Sequence, residues 1–412
     1  MRRSRSYGAM GVAVLAALGL VLAGCTGRWL GDPGLPSEGT TEPAGSAVGL
    51  PPHGVEYAPD RVLVKFFPDT PEEVKAQVHR RWGGVEVIPR IDVQVVRVPA
   101  NQVEALVRAY RSEVSVQFAE PDYIAYAILT PNDPHFDKQW GMVKIEAPKA
   151  WDVTTGSFEV RIAICDTGID QDHEDLAAKI VANKNFTRSR TVDDRHGHGT
   201  HVAGIAAAIT NNGKGVAGVG FEAGLMNVKV LDDTGMGLYS WVANGIIWAA
   251  DNGAKVINLS LGGSSPSDTL ESAVDYAWGK GCVLVAAAGN DNTDSPMYPA
   301  YYANCIAVAA TDKNDAKATF SNYGPWVDIA APGVDIFSTM PNHRNRIGIL
   351  HYGSLSGTSM AAPHVSGVAA LVFARYPGWT NADVRARIEA SVDPTTGFTT
   401  PIGRVNAFKA VQ

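Results

Sequence analysis

Two apolar runs of strand length limit what this chain can fold into. After Arg161, Ile162-Ala163-Ile164-Cys165 and, further on, Val285-Ala286-Ala287-Ala288 are apolar at consecutive positions, as strands are when both faces of their sheet are covered. The second half of the chain alternates such runs with helical stretches, which predicts an α/β fold: a mostly parallel sheet with helices on both faces. The first run ends on Asp166 and the second on Gly289-Asn290. In an open α/β sheet the carboxyl ends of the strands face the ligand crevice. As a lone feature, Asp166 reads equally as a helix cap or turn former, and Asn290 as a turn asparagine.

Gly357-Thr358-Ser359-Met360-Ala361-Ala362-Pro363-His364 places a serine at the start of a helix whose Val365, Val368, Ala369, Leu371 and Val372 suit burial on most sides. Helix N-termini leave unpaired N–H groups and partial positive charge, which stabilise an oxyanion formed when Ser359 attacks a carbonyl. Pro363 is expected early enough in the helix that its missing N–H costs little. Alone, the segment also reads as a serine N-cap on a core helix. His196-Gly197-His198-Gly199-Thr200-His201 puts histidines at a glycine-flanked helix start. His198 and His201 are spaced to share a helix face, but a zinc site needs further ligands and the glutamate of a His-Glu-x-x-His motif is missing here.

Together, Asp166, His198 and Ser359 supply an orienting carboxylate, a general base and a nucleophile, the set that acyl transfer requires. The Asn290 amide and the Ser359 backbone N–H would form the oxyanion hole. On these motifs the chain resembles the subtilisin-like serine proteases, and within them the thermitase branch, from about Thr130 to Gln412. Thr130-Pro131-Asn132-Asp133-Pro134, Val256 to Gly263, Tyr298-Pro299-Ala300-Tyr301-Tyr302 and Gly403-Arg404-Val405-Asn406-Ala407 carry the same resemblance in the same order.

The resemblance implies substrate and ion sites. Gly235-Met236-Gly237 and Ser260-Leu261-Gly262 would pair with an extended peptide as added strands, which reads main chain and implies broad specificity. Ala287, Ala288, Gly289 and Met297 would line the pocket for the residue before the scissile bond, and Tyr239, Val242 and Leu261 a second apolar pocket. Core packing is the competing reading of these residues. With Met297 at its floor the first pocket is expected to favour large apolar residues, with Asp291 near the rim admitting some Lys or Arg. A structural Ca2+ site would use Asp133, Asp175, the Asn212 side chain and the carbonyls of Ile209, Lys214 and Val216, all oxygen donors. A second ion site would draw acids from the loop before His198; Thr187-Arg188-Ser189-Arg190-Thr191 stands there, and that site is expected to be absent.

The chain has 412 residues, 45% hydrophobic, enough for two folded units. Its net charge of -7 gives no basic footprint for nucleic acid. Arg2, Arg3 and Arg5 precede an apolar run from Met10 to Gly24 that reads as a signal peptide. Leu22-Ala23-Gly24-Cys25 resembles a lipoprotein box with Cys25 as the lipidated residue; an ordinary secretory signal is the alternative. Residues 26–54 read as a flexible tether. Residues 55–128 predict strand, helix, two strands, helix and strand: strands Arg61–Phe66 and Val114–Phe118, helices Pro71–Trp82 and Val103–Tyr110, and two strands within Val85–Val98. This is a small ferredoxin-like α+β domain, matching the inhibitory propeptide of many family members, with a permanently attached extra domain as the alternative. Glu120-Pro121-Asp122-Tyr123 and the residues after it are expected to form the tail lying in the cleft before cleavage. Residues 129–412 would be the catalytic domain. Cys165 reads as an inert core thiol, and the family fold brings Cys282 and Cys305 onto neighbouring strands where a disulfide is conceivable. The expectation is an exported, monomeric, lipid-anchored zymogen of a serine endopeptidase acting on polypeptides. A non-catalytic peptide-binding lipoprotein and an esterase or acyltransferase with the same triad remain as alternatives.

Overall fold

The computed structural model describes residues 57–80, 85–124 and 130–412. The signal segment, Cys25, the tether, Trp82 and most of the Tyr126–Thr130 cleavage segment lie outside the described residues.

The first domain comprises β1 (Tyr57–Phe66), α1 (Glu72–His79), β2 (Val85–Ile88), β3 (Val93–Arg97), α2 (Val103–Arg111) and β4 (Val116–Tyr123). Its sheet has the order β2-β3-β1-β4 with every pair antiparallel, the ferredoxin-like arrangement that the element order predicts. Val62, Val64 and Phe66 alternate along β1 and pack with Val96, Leu106 and Tyr110, so each strand buries one face. Glu120–Tyr123 differ from expectation. They continue β4, with Glu120 opposite Leu63 and Tyr123 opposite Tyr57. Backbone pairing to β1 holds them in the sheet, not in a free tail.

The second domain continues with α3 (Trp140–Lys144), α4 (Ala147–Val153), β5 (Arg161–Asp166), β6 (Ile180–Asn185), α5 (His198–Ala207), β7 (Gly224–Lys229), α6 (Tyr239–Asp251), β8 (Ala254–Leu259), α7 (Asp268–Gly279), β9 (Val283–Ala287) and β10 (Ile306–Thr311). It closes with β11 (Ile329–Pro332), β12 (Ile336–Thr339), β13 (Tyr352–Leu355), α8 (Thr358–Arg375), α9 (Asn381–Ala390), β14 (Val392–Pro394), β15 (Gly403–Val405) and α10 (Ala407–Val411). A 9-stranded sheet runs β14-β15-β11-β10-β9-β8-β5-β7-β6, parallel except for β14 against β15. The apolar runs bury both faces. Ile162 and Ile164 pack with α5 and α8 on one side, while Ala163 and Cys165 pack with α6 and α7 on the other. Strand β5 lies between β7 and β8, where the strand order reverses, so Asp166 opens onto the crevice that such a reversal creates.

Two expectations are corrected. Cys165, Cys282 and Cys305 are buried free thiols. Strands β9 and β10 are neighbours, but Ile306 is level with Val285, which sets Cys305 two residues beyond Cys282. Strand spacings put such Cα atoms about 8 Å apart, past the roughly 7 Å limit for a disulfide. Helix α8 starts at Thr358, so Pro363 is its sixth residue and stands inside the helix, where it deletes a ladder hydrogen bond.

Candidate active site

Asp166, the last residue of β5, is fully buried; His198 is the first residue of α5 and Ser359 the second of α8. His198 Nδ1 lies 2.8 Å from Asp166 Oδ1. A carboxylate only accepts, so Nδ1 carries the proton and Nε2 is left as the basic nitrogen. Burial pulls this imidazole down, but the charge of Asp166 and its hydrogen bond outweigh burial and raise His198 above its ordinary value. Close approach needs Gly199, because a Cβ there would collide with the Gly168 carbonyl.

Buried Asp194 holds the histidine turn. Its Oδ1 accepts from the backbone N–H groups of His196 (3.0 Å) and Gly197 (2.8 Å), and its Oδ2 from that of Thr200 (2.9 Å), so it satisfies donors at the start of α5. The Thr167 hydroxyl donates to Asp194 at 2.9 Å and accepts from the Gly199 N–H at 2.9 Å. His201 turns away: its Nε2 lies 3.1 Å from the Gly353 carbonyl, and burial lowers its pKa to about 3. Among the described residues no group of potential metal ligands includes His198 or His201; the group found is Asp170, Asp193 and His343, with His343 Nε2 3.1 Å from Asp193.

Ser359 alone among Thr358–Phe373 is not buried. Its hydroxyl points at the Ser260 carbonyl, 3.2 Å away, and makes no hydrogen bond to His198. Asn290 Oδ1 accepts from the Thr358 N–H (2.8 Å) and hydroxyl (3.0 Å). With the oxygen so engaged, its NH2 is free for an oxyanion. The Thr358 hydroxyl also accepts from the Gly289 N–H at 3.0 Å, locking the β9 turn to α8.

A cleft of about 460 Å3 brings together His198, Gly235, Met236, Gly237, Tyr239, Val242, Ser260, Leu261 and Gly262, and adds Thr167, His196 and Leu231. Sequence reasoning missed His196 and Leu231 as lining residues. Burial and the neighbouring His198 lower His196, so it stays neutral beside the base. Ala287, Ala288 and Gly289 lie at the carboxyl end of β9. Met297 spans the gap between the two walls: its Cγ would be 2.8 Å from a Cβ on Gly262 and its Cε 2.9 Å from one on Gly289.

Asp133 and Asp175 are 4% and 0% exposed. Asp133 accepts from the backbone N–H groups of Asn211 (2.8 Å) and Asn212 (3.2 Å), and Asp175 from the Asn212 side-chain NH2 (2.8 Å) and the Val216 N–H (2.8 Å). Burial pushes both carboxyls above their usual range, and the charge of Asp133 adds to the effect on Asp175. Two buried carboxylates beside loop carbonyls fit a hard cation. The Asn212 amide must turn over to present oxygen, since its Oδ1 accepts from the Lys214 N–H at 2.7 Å.

A family model described as Subtilase family matches residues 158–404. The chain belongs to the subtilase family. A second model, the fervidolysin N-terminal prodomain, matches residues 46–122. Thermitase of Thermoactinomyces vulgaris is 53% identical over 287 residues, covering 69% of this chain and 99% of that relative. A thermophilic serine proteinase of Bacillus sp. (strain AK1) is 43% identical over 361 residues, covering 86% of this chain and 88% of that relative. Among solved structures, a protease from Pseudoalteromonas arctica PAMC 21717 matches with a TM-score of 0.65 at 36% identity, covering 69% of this chain and 99% of that one. The chain is thus a subtilisin-family serine endopeptidase preceded by a prodomain.

Proposed function

We propose that Ser359 is the nucleophile, His198 its general base and Asp166 the carboxylate that orients the base, with Asn290 and the Ser359 N–H holding the oxyanion. The 2.8 Å contact of His198 Nδ1 with buried Asp166 carries this reading, because it leaves Nε2 as the proton acceptor in the cleft. The substrate is an extended polypeptide lying between Gly235-Met236-Gly237 and Ser260-Leu261-Gly262, so specificity is broad and apolar. Met297 lies against Gly262 and Gly289 and gives the pocket before the scissile bond an apolar floor, which favours large apolar side chains. A structural Ca2+ on Asp133, Asp175, Asn212 and the carbonyls of Ile209, Lys214 and Val216 would neutralise the two carboxylates and pin the loop. The protein is exported as a monomeric zymogen whose propeptide, residues 55–128, inhibits the catalytic domain, residues 129–412, with Cys25 lipidated in the precursor.

A fluorophosphonate probe should label Ser359, and Ser359→Ala should abolish labelling and lower casein cleavage by about 10^6. In subtilisin itself, loss of the serine costs about 10^6 in kcat and loss of the oxyanion asparagine about 10^2 to 10^3. Purified Ser359→Ala protein with near-normal activity would overturn the assignment. Ester turnover without casein cleavage would reassign the substrate class.

A further inference from the structure

Pro363 has no N–H, so the Ser359 carbonyl, four residues earlier, loses its helical donor. A partly buried carbonyl without a partner is costly. The Ser260 hydroxyl donates to it at 2.8 Å. Asn258 Nδ2 donates to that hydroxyl at 2.9 Å, and Asn258 Oδ1 accepts from the Ser366 hydroxyl at 2.8 Å. Asn258 and Ser366 are fully buried and Ser260 is 3% exposed. Ser366 follows Ser359 by about two helical turns on the same face. The relay therefore leaves α8 at the Ser359 carbonyl, crosses to the end of β8 and returns to α8. Ser260 also accepts the Ser359 hydroxyl on its own carbonyl, 3.2 Å away.

We propose that Ser260, backed by Asn258 and Ser366, is a positioning residue for Ser359 and replaces the helical hydrogen bond that Pro363 deletes. The proposal rests on the reading of Ser359 as nucleophile. Its consequence is coupling: the donor that fixes the nucleophile's backbone comes from the sheet segment that binds substrate, not from the helix. A peptide pairing with Ser260-Leu261-Gly262 competes for the Ser260 carbonyl and frees the Ser359 hydroxyl for His198. The side chain of Ser260 meanwhile keeps the Ser359 backbone in place.

The test is a double-mutant cycle on the full-length enzyme after self-processing, with a peptide anilide as substrate. Ser260→Ala keeps the strand backbone but removes the donor, so kcat should fall about tenfold with KM within twofold, as expected for an unpaired, partly buried acceptor at the reacting residue. Pro363→Ala supplies a helical N–H to the same carbonyl. In that background Ser260→Ala should change kcat less than twofold. An equal loss in both backgrounds, a change in KM alone, or no change in kcat overturns the proposal. If Pro363→Ala does not fold, Asn258→Ala takes its place, since it removes the donor that orients the Ser260 hydroxyl: a fall in kcat with KM within twofold supports the relay, and a kcat equal to wild type rejects it. Fluorophosphonate labelling separates the two readings. Wild-type protein that takes no label refutes Ser359 as nucleophile, whereas labelled wild type with an additive cycle refutes the positioning role alone.

Discussion

His198 balances burial, which disfavours its charge, against the charge and hydrogen bond of Asp166, which favour it, and the second effect wins. An imidazolium cannot accept the serine proton, so activity should fall as pH drops through the titration of His198, with the acid limb above the ordinary value of about 6.5. A kcat/KM profile that stays flat to pH 4 in folded enzyme would contradict His198 as base. Met297 sets a second residue-scale expectation. Met297→Asp should lower kcat/KM for Phe relative to Ala before the scissile bond by roughly tenfold or more, the scale on which apolar pockets discriminate. A wild-type library profile dominated by Arg or Asp would refute the apolar floor. The residues proposed to do chemistry were legible because each needs one side-chain type at a strand end or helix start. Thr167, Thr358 and Asp194 were not. The threonines find partners 27 to 69 residues away in sequence, Asp194 joins one of them to the turn that it caps, and a threonine or aspartate beside glycines reads as turn chemistry until the fold closes.

Elements whose burial pattern is local, such as β5, β9 and α8, were legible as soon as their apolar runs were seen. Elements completed by partners were not: β4 reaches Tyr123 because β1 offers a partner as far as Tyr57, and no local pattern announces that. Pro363 is similar, since the donor replacing its missing N–H arrives from beyond β8. The loop between α5 and β7 ties Asp133 to Asp175 through Asn212, and there the electrostatics give a signed expectation for the proposed ion site. In ion-free protein both carboxyls titrate above their ordinary 3.8. Each then binds its proton more tightly folded than unfolded, so its destabilising effect is full above the raised value and fades as pH falls towards 3.8. Calcium at 100 times Kd would add about 2.7 kcal/mol at neutral pH, several degrees in Tm. Melting with calcium and with EDTA should differ most near neutral pH and converge as the pH falls through the raised carboxyl titrations towards 3.8. A pH-independent gap, or none, would dismiss this carboxylate pair as the ion site.

For the whole molecule, the order of segments couples folding to release. A lipid on Cys25 belongs to the propeptide side of the chain, so cleavage between about Tyr126 and Thr130 would part the protease from its anchor. The structure sharpens where the cut can fall: Glu120–Tyr123 are committed to β4, and α3 begins at Trp140, which confines an accessible bond to the intervening stretch. The propeptide domain has its own apolar core around Val64, Phe66 and Leu106, so it can stay folded after the cut. If Ser359 itself makes the cut, release requires that the catalytic domain has already folded. Ser359→Ala should therefore accumulate as a full-length, lipid-labelled precursor in the membrane fraction, while wild type yields unlipidated soluble protease of about the length of residues 129–412. Active wild-type enzyme that remains full-length and lipid-labelled at steady state would show a permanently tethered surface protease. Wild type that matures normally without ever taking lipid label would remove Cys25 from the scheme and leave the folding-dependent cut intact.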